Sequence, residues 1–491
     1  MNRAAVFLGA LFLLGASFLL GGPIGAQDHW PSFRHAGTSV ATAHSPPLEW
    51  TPDQGIRWRA TVPGYGQSSP VVWNDTIFVT SSDGPWQQRL LVHAIDARTG
   101  MLKWSNEIAA TTKIENYFRN SRAAPTCVVD DQRVVSFFAS GDVTAMNHEG
   151  KTIWSKPLFN EYGVVKNERG TASSLAQNAR SVFVLVDHDG PSYLIALDKT
   201  DGRVLWKADR GNRVPSWASP VVVKSDPLEW VIVSSADSVA AYEAESGDLA
   251  WELPDIVGNH IPSATVVGTS VYTGSTKLFH QRGLDEGQIA GSNCRIDLNG
   301  SEYRVRWSAE RANSYYSSPL VFADYVYYVN KAGILYCVDQ ETGKQVFAKR
   351  IGNPCWASAI GLTTKDGAKY VYLFTKNGFT IVLRPGEEYD QVARNQLWDR
   401  EEMLAAAEAA SKSRELNAVP PEEAQPKTGP EAIFGAMPES ALHDLFSYGD
   451  PTVYGVAYSN DRLYIRTGQA VYCVEGSLTD TEIEPRTIDG K

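Results

Sequence analysis

The sequence of 491 residues is 43% apolar and 21% charged, the composition of a globular protein long enough for one large domain or several ordinary ones. The net charge of −11 argues against a general nucleic-acid binder, because such a protein normally needs a basic face. The 40 glycines, 21 tyrosines and 14 tryptophans favour short strands joined by tight turns.

The N-terminus has the pattern of an export signal. Arg3 precedes an apolar run, Ala4–Leu20, which a Gly-Gly-Pro sequence interrupts. The sequence therefore predicts a signal peptide over residues 1–26 and an exported protein, either periplasmic or extracellular. An uncleaved anchor is the alternative, although the run is short for one, and no later segment has the length and apolar character of a membrane span.

The cysteines and histidines show no metal-binding spacing. There are five cysteines, and their number is odd, so at least one thiol has no partner within the chain. They are Cys127, Cys294, Cys337, Cys355 and Cys473. None is adjacent to another or part of a CxxC pattern, and the nine histidines form neither HxH nor HExxH. We therefore assign no metal ligands, and whether any disulfide forms stays open.

A phrase of eleven residues recurs, as AIDARTGMLKW (Ala94–Trp104), ALDKTDGRVLW (Ala196–Trp206) and AYEAESGDLAW (Ala241–Trp251). Its glycine favours a tight turn, and its aromatic ring lies on the next strand, where it can pack on the neighbouring repeat. Successive aromatic residues are 40–56 positions apart, the period of a propeller blade. We assign structural docking positions to Trp58, Trp104, Trp154, Trp206, Trp251, Trp307, Phe347 and Trp398.

A second phrase, such as SSPVV at Ser68–Val72, marks where a new strand begins. Four antiparallel strands fit between one docking residue and the next, which makes one blade. Residues 56–62 form a closing strand without strands before it, and residues 454–476 supply three strands and then stop. The sequence therefore predicts an all-β, eight-bladed β-propeller over residues 56–476, whose N-terminal strand completes the last blade and hides its open edges.

The remaining segments lie outside the repeat. Residues 27–55 form an N-terminal extension, and residues 477–491 form a C-terminal tail. An Ala- and Glu-rich stretch with a helix-supporting Glu408–Lys412 pair is followed by a proline-rich run. We expect a helical and proline-rich insertion over residues 399–447, between blades seven and eight, which either caps one face or forms a mobile loop.

The first phrase resembles the tryptophan-docking motif of the pyrroloquinoline quinone (PQQ)-like β-propeller family, roughly A-x-D-x-x-T-G-x-x-x-W. Ala94–Trp104 matches every named position, and the resemblance extends from about Trp30 to Glu475. The family includes PQQ-dependent alcohol dehydrogenases, BamB-like lipoproteins that scaffold outer-membrane protein assembly, and exported propellers without an assigned reaction. The resemblance is a strong indication of fold and a weak one of function.

The resemblance implies competing functions. Quinoprotein dehydrogenases of this type hold PQQ against a disulfide of two adjacent cysteines, beside a calcium ion bound by Glu, Asn and Asp, and this sequence has no adjacent cysteines. It also departs from the BamB pattern, because no cysteine for lipidation precedes Cys127. We therefore predict a monomeric, non-catalytic scaffold without a cofactor, which binds protein or glycan partners on a propeller face. The alternatives are a PQQ- and calcium-dependent dehydrogenase and a dedicated glycan-binding module.

A ligand would meet the residues that precede each strand-start phrase, since these should surround the central channel on one face. They are Gln67, Arg122, Arg169, Trp217, His260, Tyr316, Trp356 and Tyr454. Such a set could hold an anionic or sugar-like ligand through arginine contacts and ring stacking, or it could simply pack the funnel. We hypothesise that Arg122 and Arg169 point into the same cavity.

Overall fold

A computed structural model describes residues 29–84, 87–114, 120–167, 170–225, 228–258, 261–277, 285–399, 401, 405 and 451–476. The predicted signal peptide and C-terminal tail lie outside the described residues, as do Arg169, His260 and nearly all of the predicted insertion. The N-terminal part contributes three elements, α1 (Arg34–Gly37), β1 (Val40–Ala43) and β2 (Ile56–Thr61).

The described residues form eight sheets, and the first four follow chain order. Blade one contains β3 (Val71–Trp73), β4 (Thr76–Asp83), β5 (Arg89–Asp96) and β6 (Leu102–Ala109). Blade two contains β7 (Val128–Val129), β8 (Arg133–Phe137), β9 (Asp142–Asn147) and β10 (Thr152–Pro157), followed by α2 (Leu158–Tyr162). Blade three contains β11 (Ala176–Gln177), β12 (Ser181–Val186), β13 (Pro191–Asp198) and β14 (Val204–Asn212). Blade four contains β15 (Val221–Ser225), β16 (Leu228–Ser234), β17 (Ser238–Glu243) and β18 (Leu249–Pro254).

The last four blades complete the ring. Blade five contains β19 (Thr265–Val267), β20 (Ser270–Tyr272), α3 (Glu286–Gly291), β21 (Cys294–Asn299) and β22 (Glu302–Ser308). Blade six contains β23 (Leu320–Phe322), β24 (Tyr325–Val329), β25 (Ile334–Asp339) and β26 (Gln345–Arg350). Blade seven contains β27 (Ile360–Thr364), β28 (Lys369–Phe374), β29 (Phe379–Arg384) and β30 (Asp390–Gln396). Blade eight contains β31 (Gly455–Ser459), β32 (Arg462–Arg466) and β33 (Ala470–Glu475) together with β2.

The first strand of each blade lies at the centre, where it contacts the first strands of neighbouring blades. We call the end of the channel where these strands begin the upper mouth, and the end where they turn into the second strands the lower mouth. Middle strands such as β4 are buried almost throughout because both faces meet another blade. Outer strands such as β6 alternate between more and less exposed residues. The predicted eight-bladed, all-β propeller is confirmed.

The N-terminal strand closes the ring as predicted. β2 pairs in antiparallel fashion with β33, so that Trp58 lies opposite Cys473 and Thr61 opposite Ala470. Arg57 forms an ion pair with Glu475 across the same two strands. Because the first and last parts of the repeat share one sheet, blade eight has a fourth strand instead of an open edge.

A β-bulge lies at the corresponding place in the outer strand of each blade. In blade one, Ala94 pairs with Trp104 but Ile95 pairs with Leu102, so the register shifts by one residue beside the tryptophan. The other described blades repeat this shift. A bulge turns the side chain away from the regular alternation of a strand, which aims the ring at the neighbouring blade.

The aromatic rings pack on the glycine turns of the next blade. A Cβ atom placed on Gly100 would lie 2.7 Å from the Trp58 ring, and one on Gly247 would lie 2.5 Å from the Trp206 ring. The indole N–H groups donate to backbone carbonyls of the next blade, from Trp58 to Ala97 (3.3 Å), Trp104 to His148 (2.8 Å), Trp154 to Lys199 (2.9 Å), Trp206 to Ala244 (3.0 Å) and Trp307 to Gln340 (2.9 Å). These turns therefore need glycine for space as well as for positive φ.

Three docking positions differ from this pattern. Trp251 packs on Tyr303 with ring centroids 4.9 Å apart, and Phe347 packs edge-on to Tyr389 at 6.1 Å. Trp398 is not on the outer strand of blade seven, because β30 ends at Gln396 and Ala393 occupies the bulge position opposite Val382. The reason is the ring closure: β33 and β2 are distant in sequence, so no turn joins them to receive a ring. Trp398 packs against the Gly378 turn of its own blade and contacts Tyr472 of blade eight, with ring centroids 6.1 Å apart.

Because the Trp206 ring packs closely on Gly247, we predict that Gly247→Ala destabilises the protein. The new methyl group would meet the Trp206 ring at 2.5 Å, and the residue has a φ of +79°. We expect the free energy of unfolding to fall by about 2–4 kcal/mol, from backbone strain and overpacking together. Gly300→Ala is the matched control, because Gly300 has a φ of +60° but no neighbouring atom within 4 Å. Urea unfolding of both variants separates the two causes, and equal losses would show that the ring moves aside freely.

A buried ion pair of blade three contacts blade four. Arg210 Nε donates to Asp187 Oδ1 at 2.8 Å, and both side chains are fully buried. The guanidinium also donates to the hydroxyl groups of Tyr242 and Ser235, each at 2.6 Å, and both belong to blade four. Asp187 and these hydrogen bonds raise the pKa of Arg210 above its ordinary value despite burial. The pair therefore fastens one blade to the next through charge-assisted hydrogen bonds.

The N-terminal extension enters the channel, which the sequence did not predict. His29 stacks on Trp73 at the lower mouth, with ring centroids 3.9 Å apart. Trp30 then forms a bridge with Val72 inside the ring. After α1 the chain returns as β1, which runs parallel to β27 and so leaves toward the same mouth. We call residues 29–43 the channel segment.

The tip of the channel segment is a single left-handed turn. Arg34, His35 and Ala36 have φ values of 56°, 48° and 57°, although only Asn, Asp and Gly adopt this region readily. Surrounding contacts hold the turn: Gly37 packs against Val221, and Trp30 and Arg34 are 1% and 3% exposed. The segment contacts the inner parts of blades one, two, three, four, five, seven and eight. It thereby fills the channel below the upper mouth.

Candidate functional site

A belt of hydroxyl groups joins the blades near the upper mouth. These groups belong to the strand-start phrases of the sequence, whose physical role is therefore to link neighbouring blades. Seven blades carry a serine or threonine at the corresponding position, and in six of them its backbone N–H donates to the hydroxyl of the next blade. The bonds run from Ser69 to Thr126 (2.9 Å), Thr126 to Ser174 (3.0 Å), Ser174 to Ser219 (2.9 Å), Ser219 to Ser263 (2.8 Å), Ser263 to Ser318 (3.0 Å) and Ser318 to Ser358 (3.0 Å). In blade eight Gly455 takes this position, because a Cβ there would lie 2.2 Å from Ser69 Oγ.

Aromatic side chains from four consecutive blades meet just above this belt. Tyr316 of blade six packs on Trp356 of blade seven, with ring centroids 4.7 Å apart and nearly perpendicular planes. Trp356 in turn contacts Tyr454 of blade eight at 5.5 Å. Tyr454 shares a hydrogen bond of 2.6 Å with the hydroxyl of Tyr65 in blade one. We call Tyr65, Tyr316, Trp356 and Tyr454 the aromatic arc, and all four are partly buried.

The arc joins three of the eight residues assigned to the channel rim from sequence. It also includes Tyr65, which sequence reasoning missed because it precedes the rim position of its blade, Gln67, by two residues. A tyrosine or tryptophan recurs shortly before several of the first strands, and this was the signal that could have found it. Tyr315, which packs on Tyr316 at 4.0 Å, was missed for the same reason.

The other rim residues lie in the loops that enter the first strands. Gln67 accepts a hydrogen bond from the Ser121 N–H at 3.0 Å through its side-chain oxygen. Trp217 donates its indole N–H to the Gly170 carbonyl at 2.9 Å, which ties the entry loops of blades three and four together. Arg169 and His260 lie outside the described residues.

Arg122 is almost completely buried at 1% exposure. Its Nη2 donates to the Ile114 carbonyl at 2.5 Å, and its backbone N–H donates to Gln87 Oε1 at 2.8 Å. Burial lowers the pKa of this guanidinium to about 10, and the nearby Asp142 partly opposes that shift. Arg122 therefore carries a positive charge at neutral pH. The hypothesis that it shares a cavity with Arg169 stays a prediction.

The five cysteines are buried free thiols. Cys337 and Cys473 lie opposite the docking residues Phe347 and Trp58, in the slot that alanine fills in other blades. Burial raises the pKa of the Cys127 thiol to about 12 and that of Cys294 to about 11. Because the thiolate is the reactive form, these positions serve packing and not redox chemistry.

A site for PQQ and calcium would need an adjacent pair of cysteines and oxygen ligands for the calcium ion. The five thiols are isolated from one another in the sequence, so no adjacent pair lies at the mouth. Among the described residues, no group of His, Cys, Asp and Glu is arranged to hold a metal ion. The described rim side chains, Gln67, Arg122, Trp217, Tyr316, Trp356 and Tyr454, include no carboxylate, and Gln67 alone offers a side-chain carbonyl oxygen, whereas calcium needs several carboxylate and carbonyl oxygens. The described residues therefore do not supply the ligands that such a cofactor needs.

The match to a known family decides where the chain belongs. The family model described as "Outer membrane protein assembly factor BamB" matches residues 48–185, 164–295 and 287–349, more than half of the chain. The chain belongs to this family. The BamB family match stops before blade seven, whereas the repeat and the docking bulges continue through blade eight.

The curated relatives include two kinds of protein. The outer membrane protein assembly factor BamB of Burkholderia pseudomallei (strain K96243) is 28% identical over 257 residues, which cover 51% of this chain and 60% of that protein. A polyvinylalcohol dehydrogenase of Pseudomonas sp is 22% identical over 275 residues, which cover 46% of this chain and 40% of the dehydrogenase. The chain thus spans 60% or less of the length of these two relatives.

Solved structures show the same fold. BamB from Moraxella catarrhalis superimposes with a TM-score of 0.53 at 14% identity, covering 86% of this chain and 97% of that one. Quinohemoprotein alcohol dehydrogenase from Comamonas testosteroni superimposes with a TM-score of 0.55 at 12% identity, covering 94% of this chain and 82% of that one. At such identities the similarity concerns the fold alone. In the part of the chain that the structure describes, no helix has the length and apolar character needed to cross a membrane.

Proposed function

We propose that this BamB-family propeller is an exported, non-catalytic scaffold that binds a protein partner at its upper mouth and works in outer-membrane protein assembly. The aromatic arc is the observation that carries the proposal. Four consecutive blades each place a tyrosine or tryptophan at the same edge of the channel, and each ring remains partly exposed. Tyrosine and tryptophan are the residues that contribute most to protein–protein binding when they cluster near the centre of an interface.

The surroundings of the arc support a binding role. The belt of hydroxyl groups and the channel segment hold the inner strands in place, so the rings are presented on a rigid surface and little order is lost on binding. The relatives named as outer membrane protein assembly factors supply the proposed process.

The test compares two tryptophans of the same channel. A strain without the gene should contain fewer β-barrel proteins in its outer membrane, and the wild-type gene should restore them. We expect Trp356→Ala at the upper mouth to restore them poorly, because it removes the centre of the arc. Trp73→Ala is the matched control, since Trp73 is also partly buried but lies at the lower mouth. Normal outer-membrane protein levels in the deleted strain would contradict the proposal.

The dehydrogenase alternative has a separate test. The purified protein is incubated with PQQ and calcium, its absorbance spectrum is recorded, and dye-linked alcohol oxidation is measured. We expect neither a bound quinone spectrum nor turnover, because the mouth does not supply the calcium ligands. Bound quinone with turnover would replace the scaffold by an enzyme.

A further inference from the structure

A small cavity lies in the channel, between the channel segment and the inner strands. Its volume is about 10 Å³, and its lining includes Trp30, Phe33, Arg34, Ser39, Ser69 and Ser358. A cavity of this size admits one particle of roughly the size of a water molecule, provided that polar groups face it. The channel segment, the start of blade one and the start of blade seven are distant in sequence, and they meet around a space for a single small ligand.

Two residues of the lining, Trp30 and Arg34, carry buried hydrogen-bond donors that the protein does not satisfy, beside the apolar side chains of Ile360 and Val456. Arg34 donates from Nη1 to Thr265 Oγ1 at 2.7 Å and from Nη2 to the Ala264 carbonyl at 2.5 Å, but its buried Nε–H has no protein partner. The indole N–H of Trp30 is also buried without a partner. A buried donor without an acceptor costs about 1–3 kcal/mol, so two of them in one place point to an acceptor that is not part of the protein.

The charge of Arg34 is also uncompensated. Its side chain is 3% exposed, and burial lowers its pKa to about 9 without any carboxylate opposing the shift. The buried Arg210 differs, because Asp187 neutralises it. A buried guanidinium normally has an anionic partner, since desolvation of an isolated charge is unfavourable. Even with its pKa lowered, Arg34 is positively charged at neutral pH.

We propose that this cavity binds a single halide ion, with chloride as the natural occupant. The ion accepts hydrogen bonds from Arg34 Nε and Trp30 Nε1, and its charge neutralises the guanidinium. Ser358 can add a third donor: its oxygen accepts the Ser318 N–H, which leaves the hydroxyl proton to point elsewhere. A halide satisfies the donors and the charge at once, whereas a water molecule would satisfy only the donors. The ion would then fix the channel segment to blades one and seven.

The proposal is tested by the halide dependence of thermal unfolding at constant ionic strength. Sodium chloride or bromide replaces sodium gluconate, whose anion is too large for the cavity. We expect the Tm of the full mature protein to rise with halide and to level off, because a ligand that binds only the folded state stabilises it by mass action. An equal Tm in gluconate and in halide would overturn the proposal.

Two variants locate the effect. Trp30→Phe keeps a large ring but removes one donor, and we expect it to need about tenfold more halide for the same rise in Tm. Arg34→Gln should abolish the rise, and Trp30→Phe still decides the matter if Arg34→Gln does not fold. Trp230→Phe is the matched control, because Trp230 is equally buried at 1% exposure, has an unbonded indole N–H and lies in blade four. An unchanged halide response in Trp30→Phe, or the same reduction in Trp230→Phe, would contradict the assignment.

Crystals grown in sodium bromide give a direct readout. An anomalous peak should lie between Trp30 and Arg34. A peak with the density of water and without anomalous signal would show that a water molecule occupies the cavity, and the halide assignment would be wrong.

Discussion

Asp187→Ala is expected to lower the free energy of unfolding by about 3–5 kcal/mol, because it leaves a buried charge without its partner. Arg210 is fully buried and would keep only its hydrogen bonds to the neutral hydroxyl groups of blade four. The loss should appear in urea or guanidinium unfolding as a lower midpoint. It should also weaken the contact between blades three and four specifically, which hydrogen exchange along β14 and β17 would reveal.

The double variant Asp187→Ala, Arg210→Met distinguishes two causes of the lost stability: a buried charge left without a partner, and the loss of the contact between the two side chains. Removing both charges should recover a large part of the stability, because apolar replacement of a buried pair is often nearly neutral. If the double variant is as unstable as the sum of the single variants, the pair stabilises the blades through its geometry and not merely by avoiding an unpaired charge.

Trp30→Ala is expected to release the channel segment, at a cost of about 3–5 kcal/mol for the loss of a large buried ring. Trp30 is 1% exposed, bridges to Val72 and stacks on His35 at 4.9 Å. Arg34, which is 3% exposed in the folded protein, should then become accessible to trypsin. The measurement is the rate of cleavage after Arg34 under native conditions, followed by mass spectrometry.

The control for this experiment is Met101→Ala, because Met101 is 70% exposed and its removal should change neither stability nor cleavage. Cleavage after Arg34 at the same rate in wild-type protein and Trp30→Ala would mean that Trp30 does not hold the segment. Loss of the whole fold in Trp30→Ala, seen as cleavage throughout the chain, would mean that the segment is part of the cooperative core.

The relatives point to different chemistry for the same fold. One is named as an outer membrane protein assembly factor and another as a polyvinylalcohol dehydrogenase. A propeller of docked blades serves both, because its stability comes from contacts such as Trp206 on Gly247, which include no reactive group. Function therefore has to be argued from the mouth of the channel, where the aromatic arc is the basis for the proposed binding surface.

Much of the fold could be predicted because each repeat encodes contacts within its own blade and with the adjacent blade. Gly100 and Trp104 are close in sequence. Gly100 contacts the Trp58 ring of the preceding blade, and the Trp104 ring contacts Gly150 of the next blade. The exception shows the limit of this reasoning. Trp398 matched the spacing of a docking residue, but Ala393 takes the position, because blade eight is closed by a strand distant in sequence and offers no turn.

The candidate site could be predicted only in part. Tyr316, Trp356 and Tyr454, which precede first strands, meet at one mouth, since equivalent positions of a repeat surround an axis. Their contacts could not be predicted from the sequence, because they depend on neighbouring side chains. Tyr454 shares a hydrogen bond with Tyr65 across the closure of the ring, and Arg122 is buried.

The sequence by itself determined the architecture: the number of blades, the closing strand and the positions of most docking residues. Each follows from a pattern that recurs along the chain, and recurrence is visible without coordinates. Only the tertiary structure placed residues 29–43 in the channel and brought Trp30, Arg34 and Ser358 around one cavity. Residues 29–43 belong to no repeat, and their left-handed turn has no propensity signal. Their positions result from contacts with many blades at once, and such contacts exist only after the ring has closed.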